Sequence, residues 1–186
     1  MLEPAYSYQK ELKELYARKI YNPKNKFYVM NRFYNFDLNI DPDEIRRIQY
    51  ISKSPNGKMM MYLGAWVNRS ANIVERIETI NLSDTPNCLV GRDMLRFIGL
   101  LLCERNFDKV IFYVIKDNPI FQSYCQFQNH HKLGRIVGIF ERHCTLPDGT
   151  SYDVAAFEIH KDNFVSSLGG NLGFAEFTRH TKSTLK

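Results

Sequence analysis

Hydrophobic positions along this chain follow two rhythms, and the points where one replaces the other mark the elements. Near the N-terminus, Tyr8, Leu12, Leu15, Lys19 and Ile20 keep an imperfect three-to-four spacing. That spacing predicts a helix from Pro4 to about Tyr21, stopped by Asn22-Pro23. The aromatic stretch FYVMNRFYNF between Lys26 and Asp37 reads as a short strand and a loop. Asp41-Pro42-Asp43-Glu44 has the form of a helix start, with Asp41 as cap, Pro42 at the first position and acids in the first turn. Only about two turns fit there, because strand-like RIQYISKS follows.

The pattern then sharpens. Ser54-Pro55-Asn56-Gly57 is a hairpin turn between two apolar runs. Lys58 to Val67 (KMMMYLGAWV) is a strand with so little polar content that both its faces should be covered. Asn68-Arg69-Ser70-Ala71-Asn72 turns the chain into Ile73 to Leu82 (IVERIETINL), a strand of mixed character, which completes an antiparallel meander. After Ser83 to Asn87 the period changes to helical: Met94, Leu95, Ile98, Leu101 and Leu102 share a broad face that ends near Arg105-Asn106. Lys109 to Ile115 (KVIFYVI) is a continuous apolar strand of the kind buried at a sheet's centre.

Asn118-Pro119 opens a second helix with Ile120, Tyr124 and Phe127 on its apolar side, and Gly134 ends it. Arg135 to Phe140 and Tyr152 to Ile159 form a hairpin around Pro147-Asp148-Gly149. The tail after Asn163 loses its period and reads as a loose extension. The strand–helix–strand unit from Ile73 to Ile115 needs a parallel crossover if both strands share a sheet. The fold class is therefore α/β: an antiparallel meander, a central parallel strand pair and a C-terminal hairpin in one mixed sheet, with helices on both faces. One domain over residues 1–164, followed by an extension over 165–186, accounts for the whole length.

Bulk properties narrow the setting. A hydrophobic share of 44% with 24% charged residues is that of an ordinary globular chain. No apolar run approaches a membrane span, and the charged N-terminus lacks an export signal's apolar core, so a cytoplasmic address is expected. Cys88, Cys103, Cys125 and Cys144 are scattered without a C-x-x-C pair, which suits reduced thiols better than zinc ligands, with Cys103 and Cys125 buried on helices. The net charge of +5 permits contact with phosphates on a cofactor or a nucleic acid without requiring either.

Several strings in order resemble the GNAT (general N-acetyltransferase) superfamily, from about Arg47 to Phe164. In VIFYVIKDNPIFQSYCQFQNHHKLGRIVGIFERHCTLPDGTSYDVAAFEI a buried strand runs to Asn118 and a helix follows. Lys132-Leu133-Gly134 then makes a corner, Asp148-Gly149 a turn, and Tyr152-Asp153 begins a strand. The chain looks most like members carried by bacteriophages and Firmicutes. The resemblance implies that acetyl-CoA lies where the strand before the long helix splays from its neighbour, with its pyrophosphate on backbone N–H groups at that helix's N-terminus.

Here the cradle would be Asn87 to Met94 (NCLVGRDM), so Leu82, Val90, Gly91, Arg92, Asp93 and Met94 are the candidate cofactor residues. Asn118 joins them, resembling the Asn that bonds the pantetheine arm, although capping its helix would also explain it. The family pattern has Gln or Arg, two variable residues, Gly, a variable residue, then Gly or Ala. This chain keeps Gly91 but places Asp93 where a small residue is expected. An acid there opposes a phosphate unless it turns away as a helix cap.

Acetyl transfer needs an acceptor for the ammonium proton and an acid for the departing thiolate. The resemblance implies a base on the strand before the cradle. Glu75 and Glu78 stand there, and Glu78 lies nearer the splay. It also implies a Tyr in the following helix as acid. Tyr124 fits, and a phenol titrating near about 10 matches a thiolate; packing with Ile120 and Phe127 explains it as well. The pair His130-His131 points about 100° apart on a helix, too far to share a metal. Trp66 and Met59-Met60-Met61 read as strand filler.

Two functions follow. The first is an acyl-CoA-dependent N-acyltransferase acting on a small or macromolecular amine. The second is a catalytically silent module of the same fold that binds protein or nucleic acid, with FYVMNRFYNF offering rings for stacking. The acceptor would be selected by the loops Lys24 to Asp41 and Cys144 to Thr150.

Overall fold

The computed structural model describes residues 1–28, 38–83, 88–131, 133–146 and 148–167. Strand β1 (Leu2–Pro4) leads through a 3-10 turn (Ala5–Tyr8) into α1 (Gln9–Ile20). A second 3-10 segment covers Pro23–Tyr28. The meander follows as β2 (Arg47–Lys53), β3 (Met59–Asn68) and β4 (Ile73–Asn81). Helix α2 (Cys88–Gly99) runs on as a π-helical turn (Leu100–Glu104) and leads to β5 (Lys109–Ile115). Helix α3 (Ile120–His131), the hairpin β6 (Arg135–Thr145) and β7 (Ser151–His160), and α4 (Lys161–Ser167) complete the order.

All seven strands share one sheet in the order β1-β2-β3-β4-β5-β7-β6. Each neighbouring pair is antiparallel except β4 and β5, which run parallel. The fold is thus the mixed α/β sheet expected from the sequence. On one face α2, its π turn and α3 bury Phe97, Leu101 and Phe107 against Ile48, Leu63 and Val110. On the other, α1 lays Leu12, Tyr16 and Ile20 over Ile51, Tyr62 and Ile80. Burial on both sides explains the unbroken apolar run of β3, where Met59 to Leu63 are all buried.

The structure corrects several local readings. Asp41 does cap, since its carboxylate accepts N–H groups from Asp43 (3.2 Å), Arg46 (2.9 Å) and Arg47 (3.3 Å), but it caps a turn. Strand β2 begins at Arg47, which leaves too few residues to nucleate a helix. Helix α3 turns Phe121, Tyr124 and Cys125 inward, while Ile120 is exposed. The phase is set by Asn118, whose side-chain oxygen receives the Ile120 N–H at 3.1 Å. Gly134 closes the turn from α3 into β6 at φ +77°, where a Cβ would stand 2.5 Å from the Glu158 carbonyl oxygen.

Strand β6 continues past Phe140 to Thr145 through an irregularity at Arg142 (φ 47°), whose N–H is fixed by Asp153 at 3.0 Å. The tail remains helical to Ser167, because Phe164 is buried in the main core. Cys103 and Cys125 are partly buried free thiols on helical segments. The segments 29–37 and 168–186, Lys132, Pro147, and the side chains of Cys88, Phe127, His130 and His131 lie outside the described residues. Among the described residues no helix is long and apolar enough to cross a membrane.

Candidate functional site

The site originates in a defect of β4. Trp66 pairs with Arg76 and Val67 with Val74, so Glu75 is an extra residue opposite no partner of β3. A bulge bends its strand and sharpens the local twist. Immediately before it, β4 and β5 pair at Ile73 with Lys109 and Val74 with Val110; beyond it no pairing joins them. β5 meanwhile stays zipped to β7 from Lys109 to Ile115. A wedge therefore opens toward the C-terminal ends of β4 and β5, with a cavity of about 550 Å³.

The two halves of this cavity differ in character. On the face of α2 and α3 it is lined by Gly91, Met94, Leu95, Ile98 and Tyr124. On the face of α1 it meets Tyr16, Phe27, Tyr62, Arg76 and Glu78. Asn81 and Asn118 stand at the rim formed by the strand ends. The register places Glu78 opposite Gly64 and two residues from Ile80, which faces Tyr62, so the Glu78 carboxylate shares the α1 face with these rings.

Glu78 is held by its neighbours. Its carboxylate accepts the Trp66 indole N–H at 2.9 Å and lies 3.3 Å from the Arg76 guanidinium. The Arg47 guanidinium stacks 3.6 Å from the Trp66 ring centre and fixes the indole from the other side. Trp66 thus bonds the Glu78 carboxylate and does more than fill its strand. A pairing register drawn from the Asn68–Asn72 turn alone would set Trp66 opposite Glu75; the bulge brings it beside Glu78. Tyr62 lies flat over Gly64, where a Cβ would be 2.5 Å from its phenolic oxygen. That oxygen accepts an N–H from Gln49 at 2.8 Å, and burial pushes the phenol pKa upward. Glu75 is exposed and accepts a bond from Asn68 at 2.7 Å.

Tyr124 leans on Phe112 and Phe157, with ring centres 5.2 and 5.9 Å away. Its hydroxyl reaches the Met94 sulfur at 3.8 Å, across the cleft between α3 and α2. The ring thus packs against the core, and the residue lines the cavity.

The expected cradle takes a different form. Residues Cys88 to Met94 already belong to α2, so the N–H groups of Arg92, Asp93 and Met94 are used within the helix. The N–H groups without intrahelical partners in its first turn are those of 88–90. Gly91 lines the cavity, and a Cβ built on it meets nothing within 4 Å, so open space lies beside that turn. The Asp93 carboxylate turns away and is fully buried, bonding the Ser52 hydroxyl, Arg92 Nε at 3.0 Å and Arg96 Nη1 at 3.3 Å. Arg92 is engaged there too. Leu82 packs under α1, and its N–H bonds the Met60 carbonyl at 2.9 Å. The Val90 side chain is outside the described residues.

Below the wedge, Glu158 of β7 ties three strands together. It is buried and meets Arg135 of β6 at 2.7 Å, His160 at 3.1 Å and Lys109 of β5 at 3.2 Å. Burial alone would raise its pKa; bonds from Arg135, His160 and Lys109 overcome that and lower it to about 2. Among the described residues no cluster of His, Cys, Asp or Glu could hold a metal ion.

Solved structures share this architecture. The chain matches spermidine N-acetyltransferase from Vibrio cholerae, solved with CoA and spermine, at a TM-score of 0.68 and 11% identity, covering 89% of this chain and 97% of that one. A chimera of that enzyme gives 0.69 at 11% identity over 89% and 97%, and its complex with manganese ions 0.66 at 11% over 89% and 95%. At this identity the likeness establishes the fold. No family model and no curated protein matches the sequence.

Proposed function

We propose that the chain is an acyl-CoA-dependent N-acyltransferase, with acetyl-CoA as donor and a primary amine as acceptor. The observation that carries this reading is the wedge between two parallel strands, with the first turn of α2 at one wall. Main-chain edges in the wedge suit an extended, amide-bearing arm, which binds as an added strand does. N–H groups of the first turn of α2 suit a pyrophosphate. Space beside Gly91 leaves room for it, and Met94, Leu95 and Ile98 supply an apolar wall. The inward turn of Asp93 keeps its charge away from a phosphate bound at that turn. Asn118 stands where it can bond the arm while its oxygen caps α3.

When bound, acetyl-CoA supplies an acetyl thioester for attack by a neutral amine, with a thiolate as leaving group. Glu78 is the base: its carboxylate takes the acceptor's ammonium proton, directly or through water. Trp66 and Arg76 hold it in place at the cavity. Tyr124 holds its phenolic proton on the opposite face, toward Met94, where a thiolate needs one. Proton removal and proton return thus sit on opposite faces of one opening, with the reaction between them.

Thiol release from acetyl-CoA in the presence of a panel of primary amines tests the proposal. Amine-dependent release that is lost in Glu78→Gln supports it. Amine-independent background across the panel overturns it.

A further inference from the structure

The sheet has two outer edges, and they are finished differently. Strand β1 is three residues long and ends in Pro4, which has no N–H to offer, so that edge is blunted. Strand β6 closes the other end of the order with eleven residues and no proline. Its outer side meets no strand among the described residues. Val137, Ile139 and Phe140 of this edge are 48%, 49% and 44% exposed. An edge of this length, with unpaired main-chain groups and apolar side chains, is a template for another strand.

The register of β6 says which strand that is. Against β7, Arg135 pairs with Glu158, Ile136 with Phe157, Gly138 with Ala156, Ile139 with Ala155 and Phe140 with Val154, so Val137 is an extra residue. Phe157 and Ala155 belong to the main core, and Val154 to the small cluster around Ile115. Ile136 and Ile139 therefore stand on the face of α2 and α3, and Arg135 and Phe140 on the opposite face. An extra residue spoils pairing with a regular strand. A second copy carries the same extra residue, and in an antiparallel pair centred between Val137 and Gly138 the two insertions cancel.

In that register Arg135 lies opposite Phe140 of the second copy, Ile136 opposite its Ile139, and Val137 opposite its Gly138. Directly opposed residues of antiparallel strands share a face, so the isoleucines meet on one side and a guanidinium meets a ring on the other. Arg135 bonds Glu158 and is still 70% exposed, which leaves its guanidinium a face to stack. The Phe140 ring is braced by His143 and Tyr113, with centres 5.0 and 6.5 Å away. A Cβ built on Gly138 meets nothing within 4 Å, which is room for Val137. Two-fold symmetry makes each of these contacts twice. We propose that two copies of this chain pair through β6, antiparallel about an axis between Val137 and Gly138, into one continuous sheet.

Light scattering on the full chain, eluted from a sizing column at about 100 μM, is expected to give twice the mass of one chain. Val137→Lys puts a charge beside the axis and is expected to weaken the dimer by about tenfold or more, with circular dichroism unchanged. Mild oxidation of an equimolar mixture of Ile136→Cys and Ile139→Cys should give a disulfide-linked dimer that neither variant forms alone, since opposed Cα atoms lie within bridging distance. The mass of a single chain at that concentration overturns the proposal. Protection of the β6 amides from hydrogen exchange in such a monomer would give the edge to another segment of the same chain. A dimer that survives Val137→Lys and lacks the mixed disulfide is built on another surface and overturns the proposal equally. None of these outcomes depends on the acyltransferase reading.

Discussion

Strand β5 has two neighbours and treats them differently. Toward β7 every residue from Lys109 to Ile115 has a partner; toward β4 only Lys109 and Val110 do. Composition does not explain the difference, since Ile77 and Ile80 of β4 are as strand-forming as Ala155 and Val154 of β7. The decisive feature is a single inserted residue, Glu75, placed where the parallel pairing stops. The zipped side supplies rigidity, and the open side supplies a slot with main-chain edges and protonatable groups on both faces.

The largest expected effects lie on the open side. Glu78→Gln and Tyr124→Phe are each expected to lower kcat by about 10²–10⁴, as general acid–base groups do. Acetyl-CoA affinity should stay within about twofold in both, because neither substitution changes the shape of the slot. Unchanged turnover in either variant clears that residue of its role.

The zipped side breaks at Glu158. Its folded-state pKa is depressed to about 2 from 4.5, so its contribution is fully present above about pH 4.5 and is lost as pH falls toward 2. Glu158→Gln should cost about 3 kcal/mol at neutral pH, measured by urea unfolding, and flatten the acid side of the stability profile. A profile parallel to that of the unaltered protein would refute this.

Filling the slot tests the open side by volume alone. Gly91→Phe should weaken acetyl-CoA binding by about thirtyfold, on the scale of a blocked buried contact. Its thermal midpoint should move little, since a Cβ there meets nothing within 4 Å. The smallest effect is expected in Trp66→Phe, with kcat lowered by about tenfold through one lost hydrogen bond. Losing that donor frees the Glu78 carboxylate to turn, so kcat should fall while KM stays within about twofold.

Much of this was legible in the chain itself. The two periodicities located the meander, the C-terminal end of the long helix and the buried strand β5 to within a residue or two, because each element buries a face that its pattern must supply. Asn118-Pro119 and Gly134 marked the ends of α3 through capping and left-handed backbone geometry. The bulge at Glu75 was not legible, since a single inserted residue shows only in the register against β3. For the same reason the link from Trp66 to Glu78, a cross-strand contact, was missed. The inward orientation of Asp93 was hidden as well: it depends on Ser52, forty-one residues away in the chain. The start of α2 at Cys88 escaped because its first turn, Cys88-Leu89-Val90-Gly91, carries no polar residue to mark a period.

Calorimetric titration with acetyl-CoA tests the wedge most directly. The account predicts saturable one-to-one binding in the micromolar range, about 1–100 μM, as for enzymes poised near cellular cofactor levels, and clear weakening in Gly91→Phe. No binding heat at millimolar acetyl-CoA, or equal affinity in both proteins, would contradict it.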